Sequence, residues 1–144
     1  MAAEFLTKDE QLEVIHAIEN AENNTSGEIR IHIESKCKED VLDRAANIFA
    51  KLKMHKTELR NGVLIYLATT DKKFAIIGDA GINAKVPEGF WDEIKESMSA
   101  KFKEAKFTEG LIIGVSMAGT KLKEFFPIQH DDINELSNEI SFGQ

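Results

Sequence analysis

Apolar and polar positions repeat at two different periods along this chain, and the switches between them divide it into elements. Val14, Ala17, Ile18 and Ala21 recur at helical spacing behind Thr7 and Glu10, a pair with capping-box spacing. This predicts a first helix over about 8–22, with His16 on the opposite, solvated side. Residues 28–34, EIRIHIE, alternate strictly. Ile29, Ile31 and Ile33 share one face, and Arg30, His32 and Glu34 share the other. That pattern predicts a strand with a buried apolar face and an exposed polar one.

Asp40 is a suitable N-cap for a second helix over about 41–53, whose apolar face is Val41, Leu42, Ala45, Ile48, Phe49 and Leu52. Residues 63–68, VLIYLA, carry no charge and lie between Asn61-Gly62 and Thr70-Asp71-Lys72. Such a run predicts a strand buried on both faces. Residues 74–77 then pair back as a hairpin, and Gly78-Asp79-Ala80-Gly81 ends it. Strand, helix and strand from 28 to 68 form a βαβ unit, expected to be parallel. Pro87 sets up a third helix bearing Phe90, Trp91, Ile94, Met98, Phe102 and Ala105. A fourth begins at Phe107 and carries Leu111, Ile112, Val115, Ala118, Leu122 and Phe126 before Pro127 stops it. Gly110, Gly114 and Gly119 on or beside that face predict close packing against a neighbour.

The expected architecture is α/β: a three-layer α/β/α sandwich whose small mixed sheet, a βαβ unit plus a β-hairpin, is covered by four helices. The domain spans 1–127. Residues 128–144 contain no Lys or Arg against Asp131, Asp132, Glu135 and Glu139, which marks an acidic tail. Ile133, Leu136, Ile140 and Phe142 could dock that tail on the body or on a partner.

Composition narrows the function classes. A length of 144 residues fits one domain. The net charge of −7 argues against a nucleic-acid or anionic-membrane surface and is compatible with binding cations. Cys37 is the only cysteine, so no intrachain disulfide can form. No apolar run is long enough to span a bilayer, and the first residues lack a signal-peptide pattern, which together give a cytoplasmic expectation. GxxxxGKS/T, GxSxG and HExxH are all absent.

What remains is oxygen chemistry. Glu28, Glu58, Asn61, Asp71, Asp79 and Asn83 flank the strands. With the first two strands parallel and the hairpin antiparallel, Glu28, Glu58, Asn61 and Asp79 converge on one sheet edge. Asn83 follows Asp79 at a spacing a curved loop can close. Clustered carboxylates repel unless a cation intervenes, so Asp79, Glu28, Glu58, Asn61 and Asn83 are the expected ligands of a hard divalent cation.

The stretches SGEIRIHIE, RNGVLIYLA, FAIIGDAGINAKVP, FW and the later F-x-E-G-L resemble the TPM domain family over about 6–127, nearly a whole domain. That family has thylakoid-lumen, bacterial envelope and nematode receptor-associated members. The resemblance implies an α/β/α sandwich, Ca²⁺ binding near the strand ends, and, from the plant branch, a weak acid phosphatase activity. Many members precede a transmembrane helix; this chain instead ends in the acidic tail. Asp79 also stands where many relatives carry an aromatic residue. The leading expectation is a soluble calcium-binding interaction or assembly module with a divalent cation and a protein as partners. One alternative is a weak metal-assisted phosphatase, with Asp79, Glu28 or Glu58 on the ion and Arg60 facing phosphate. The other is an interaction domain without metal.

Overall fold

The strands pair into one open sheet in the computed structural model, which describes residues 5–128 and 136–143. They are β1 (Glu28–Glu34), β2 (Gly62–Ala68), β3 (Lys73–Gly78) and β4 (Ser141–Phe142), in the order β3-β2-β1-β4. β1 and β2 run parallel with Glu28 opposite Gly62 and Glu34 opposite Ala68. β3 is antiparallel to β2, with Val63 opposite Gly78. β4 runs parallel to β1, with Ser141 opposite His32.

The described helices are α1 (Lys8–Glu22), α2 (Val41–Lys51), α3 (Ala80–Asn83), α4 (Asp92–Lys103) and α5 (Phe107–Phe125). Thr7 and Glu10 close the anticipated capping box on α1. Every residue of β2 is buried because helices cover both faces. Ile29, Ile31, Ile33, Val63, Ile65 and Leu67 pack into one core with α1, α4 and α5. On the other face Leu64, Tyr66 and Ala68 pack with Ala45, Ile48 and Phe49 of α2. Burial of this kind contributes roughly 1.5–3 kcal/mol for each large aliphatic side chain. The glycines of α5 let it approach closely: a Cβ on Gly119 would lie 2.7 Å from Cβ of Ala21.

Three features depart from the pattern. The loop after β3 winds into the extra turn α3, capped by Asp79, so there are five described helices rather than four. The second helix ends two residues early, where Lys53 takes φ 57° and leads into a 3₁₀ turn at Met54–Lys56. The C-terminal segment is not simply a tail, since β4 adds a strand to the sheet. Ile140 is buried in the larger core, and Leu136 and Phe142 pack on the body. Ile133 and the acids Asp131, Asp132 and Glu135 lie outside the described residues. Among the described residues, no helix is long and apolar enough to cross a membrane.

Candidate functional site

Sheet topology brings the starts of β1 and β2 beside the end of β3, as anticipated. The Glu28 N–H donates to the Asn61 carbonyl at 3.2 Å, and the Asp79 N–H donates to the Gly62 carbonyl at 3.0 Å. Glu28, Asn61 and Asp79 are all buried. Asn61 is 1% exposed, and its Nδ2 donates to the Ser26 carbonyl at 3.0 Å. Its Oδ1 is buried with no hydrogen-bond partner, and so is Ser26 Oγ. An unpaired buried oxygen costs about 1–3 kcal/mol, so Asn61 Oδ1 and Ser26 Oγ, on residues joined by the Asn61–Ser26 hydrogen bond, are both oxygens with capacity for a further partner.

Glu22, at the end of α1, joins this edge by accepting from the Ile29 N–H at 3.0 Å. Burial, with a contribution from the Glu28 charge, pushes its carboxyl up to about 7 against the Ile29 hydrogen bond. Glu28 itself accepts from the Leu136 N–H at 2.5 Å, which ties the C-terminal segment to the same point.

The other expected ligands are engaged differently. Arg60 grips both oxygens of Asp79, at 2.7 Å each, and Asp79 Oδ1 also accepts from the Ala80 N–H at 2.7 Å. Burial raises the Asp79 pKa, but these donors outweigh it and hold the carboxyl below its ordinary value. Asn83 is exposed and donates from Nδ2 to the Gly78 carbonyl at 3.2 Å. Glu58 is also exposed. The structure therefore brings Glu28, Asn61 and Asp79 to one sheet edge through backbone hydrogen bonds and leaves Asn83 and Glu58 on the outside. Among the described residues there is no group of three or more His, Cys, Asp or Glu side chains placed to hold a metal ion.

The polar face of β1 is covered and not solvated. His32 and Glu34 were expected at the surface, yet they are 5% and 3% exposed. Glu34 accepts two bonds from Arg44, at 2.8 and 2.9 Å, and a third from the Tyr66 hydroxyl. His32 Nε2 lies 3.1 Å from Glu34 Oε1, and His32 Nδ1 lies 2.9 Å from Ser141 Oγ. Burial pushes the Glu34 carboxyl up, but the bonds from Arg44, Tyr66 and His32 win and hold it at about 2. Burial pulls the His32 pKa below its ordinary value, against the effect of Glu34. The available signal was Arg30, His32 and Glu34 on one strand face, in a sheet already expected to carry helices on both sides. The network borders a groove of about 800 Å³ between β1, α2 and β4, whose walls include Lys36, Lys38, Ile48 and Leu52.

Residues 1–121 match the TPM domain family. The chain is similar to the BA42 protein of the psychrophilic bacterium Bizionia argentinensis, at 49% identity and a TM-score of 0.92 over 96% of each chain. The N-terminal domain of a P. gingivalis protein shares the fold at 16% identity, with a TM-score of 0.70 over 88% of this chain and 83% of that one. No curated protein matches the chain.

Proposed function

This chain belongs to the TPM domain family, and from that premise we propose that it is a divalent-cation-binding module, with calcium as the first ion to test. The observation that supports this reading is the buried, unpartnered Asn61 Oδ1 at the sheet edge where the Glu28 N–H meets the Asn61 carbonyl. Ser26 Oγ and the Glu22 carboxylate add two further oxygens of the type that Ca²⁺ and Mg²⁺ accept. A cation there satisfies the orphaned oxygens and offsets the repulsion between Glu22 and Glu28. Glu28 and Asn61 are retained from the expected ligand set. Asp79 joins only by releasing Arg60, while Asn83 and Glu58 are peripheral. Arg60 is the phosphate-facing residue of the phosphatase alternative, and its engagement by Asp79 makes the binding reading the better supported one. The Leu136 contact to Glu28 supports a coupling between cation binding and the C-terminal segment as the element that meets a protein partner.

Amide NMR during calcium and magnesium titration tests the reading. The expected result is saturable shifts centred on Ser26 to Ile29 and Asn61, lost in Glu28→Gln. Saturable shifts elsewhere would place the ion at another site, and no shift at millimolar cation would reject the cation-binding function.

A further inference from the structure

We propose that Ser141, His32 and Glu34 form a nucleophile, base and carboxylate series, and that this chain hydrolyses carboxylic esters in the groove beside β1. The hydrogen bonds run in the order such chemistry needs. Ser141 Oγ is 2.9 Å from His32 Nδ1, and the other ring nitrogen is 3.1 Å from Glu34 Oε1. Those are the separations at which a nucleophile meets its base and the base its orienting group.

The Glu34 environment fixes the tautomer. Arg44 and Tyr66 donate to Glu34, which keeps it ionised, and an ionised carboxylate only accepts. His32 therefore carries its proton on Nε2, toward Glu34. This leaves Nδ1 as the acceptor for the Ser141 hydroxyl. Burial keeps the imidazole neutral near pH 7, the form able to take a proton. The ring is held by stacking on Tyr66, with centroids 5.9 Å apart and planes 10° apart. Glu34 and Tyr66 are positioning residues, because neither reaches the reacting atoms.

Access and charge come from the groove. His32 and Glu34 line the cavity together with Phe142 and Gly143, and the half-buried Ser141 adjoins it through these two neighbours and through His32. Gly143 packs its backbone closely against the pair: a Cβ there would lie 2.6 Å from Glu34 Oε1 and 3.1 Å from His32 Nε2. Lys36, Lys38 and Lys51 supply positive charge on the walls against Glu39, while Ile48 and Leu52 supply an apolar surface. This combination fits an ester with an apolar body and an anionic group. Ser141 lies beyond the residues matched by the family.

The reaction balances with water as the only co-reactant. Ser141 Oγ bonds to the ester carbonyl carbon while its proton passes to His32 Nδ1. The tetrahedral adduct then breaks its bond to the alkoxy oxygen, which leaves as the alcohol with that proton. Water attacks the acyl-serine, again giving a proton to Nδ1. Loss of the acid returns that proton to Ser141 Oγ.

The full chain should be treated with a fluorophosphonate, and the modified residue located by peptide mass spectrometry. Labelling is expected at Ser141, about 100-fold faster than at the exposed Ser116, the lower bound for general-base assistance. His32→Gln should remove that advantage, and p-nitrophenyl acetate turnover should fall with it. If Ser141 reacts no faster than Ser116 in folded wild type, the proposal is overturned. Equal labelling of His32→Gln and wild type also overturns it. Should His32→Gln fail to fold, the wild-type rate ratio decides alone. A network that merely pins β4 gives a stability loss in Ser141→Ala but no selective labelling.

Discussion

Glu22→Gln is the most informative single change at the sheet edge. The Glu22 carboxyl is lifted from 4.5 to about 7 by burial and by the neighbouring Glu28 charge. A raised carboxyl pKa means that ionisation opposes folding. The folded state is unpenalised while the group is protonated, below 4.5, and loses stability as pH rises through about 7. At full ionisation the shift corresponds to about 3 kcal/mol. Glutamine keeps an oxygen for the Ile29 N–H and carries no charge. The variant should therefore be more stable than wild type by about 1 kcal/mol near pH 5.5 and about 3 kcal/mol near pH 8.5. Urea denaturation at both pH values, in chelator, measures this. Millimolar calcium near pH 8.5 should raise the stability of wild type and leave the variant unmoved, since ligand that binds only the folded state stabilises it. A stability gap that is flat with pH, or a variant less stable than wild type in chelator, would refute the argument that a buried ionised carboxylate strains this edge.

Other substitutions probe the frame around the site. Ile65 is fully buried in the core shared with α1, α4 and α5, so Ile65→Ala should cost about 2–5 kcal/mol by chemical denaturation. Gly119→Ala forces a methyl group against Ala21 at the α1–α5 contact and should cost about 1–3 kcal/mol, seen as a lower Tm. Glu34→Ala removes the buried acceptor of Arg44, Tyr66 and His32, and with Arg44 itself partly solvated it should cost about 1–3 kcal/mol near neutral pH. Because the folded Glu34 pKa is depressed to about 2, its stabilisation is present above 4.5 and is lost as pH falls toward 2. Acid titration of wild type against Glu34→Gln measures that loss.

Local pattern was enough to define most of the framework. The stripe of Val14, Ala17, Ile18 and Ala21 placed α1, and the alternation of 28–34 placed β1, because side-chain periods of 3.6 and 2 are written directly in residue order. The uncharged VLIYLA run announced a strand between two helical layers, since only a doubly covered strand can omit polar residues. The placement of β1, β2 and β3 then followed from connection rules, which is why Glu28, Asn61 and Asp79 were legible as neighbours. The partners of those residues were not legible. Arg60 could face solvent or Asp79, and only the sharp φ of 51° at Arg60 and the turn of α3 bring the pair together. Glu22 looked like the end of a helix, and its charge became costly only when α1 packed its terminus over the start of β1. The same holds for His32 and Glu34. Alternation correctly put them on one face of β1, but whether that face meets water depends on Arg44 from α2 and on β4 folding back from more than a hundred residues away. Periodicity fixes which side chains point together. Burial, pairing and protonation depend on what the rest of the chain lays over them, and that is a property of the tertiary structure.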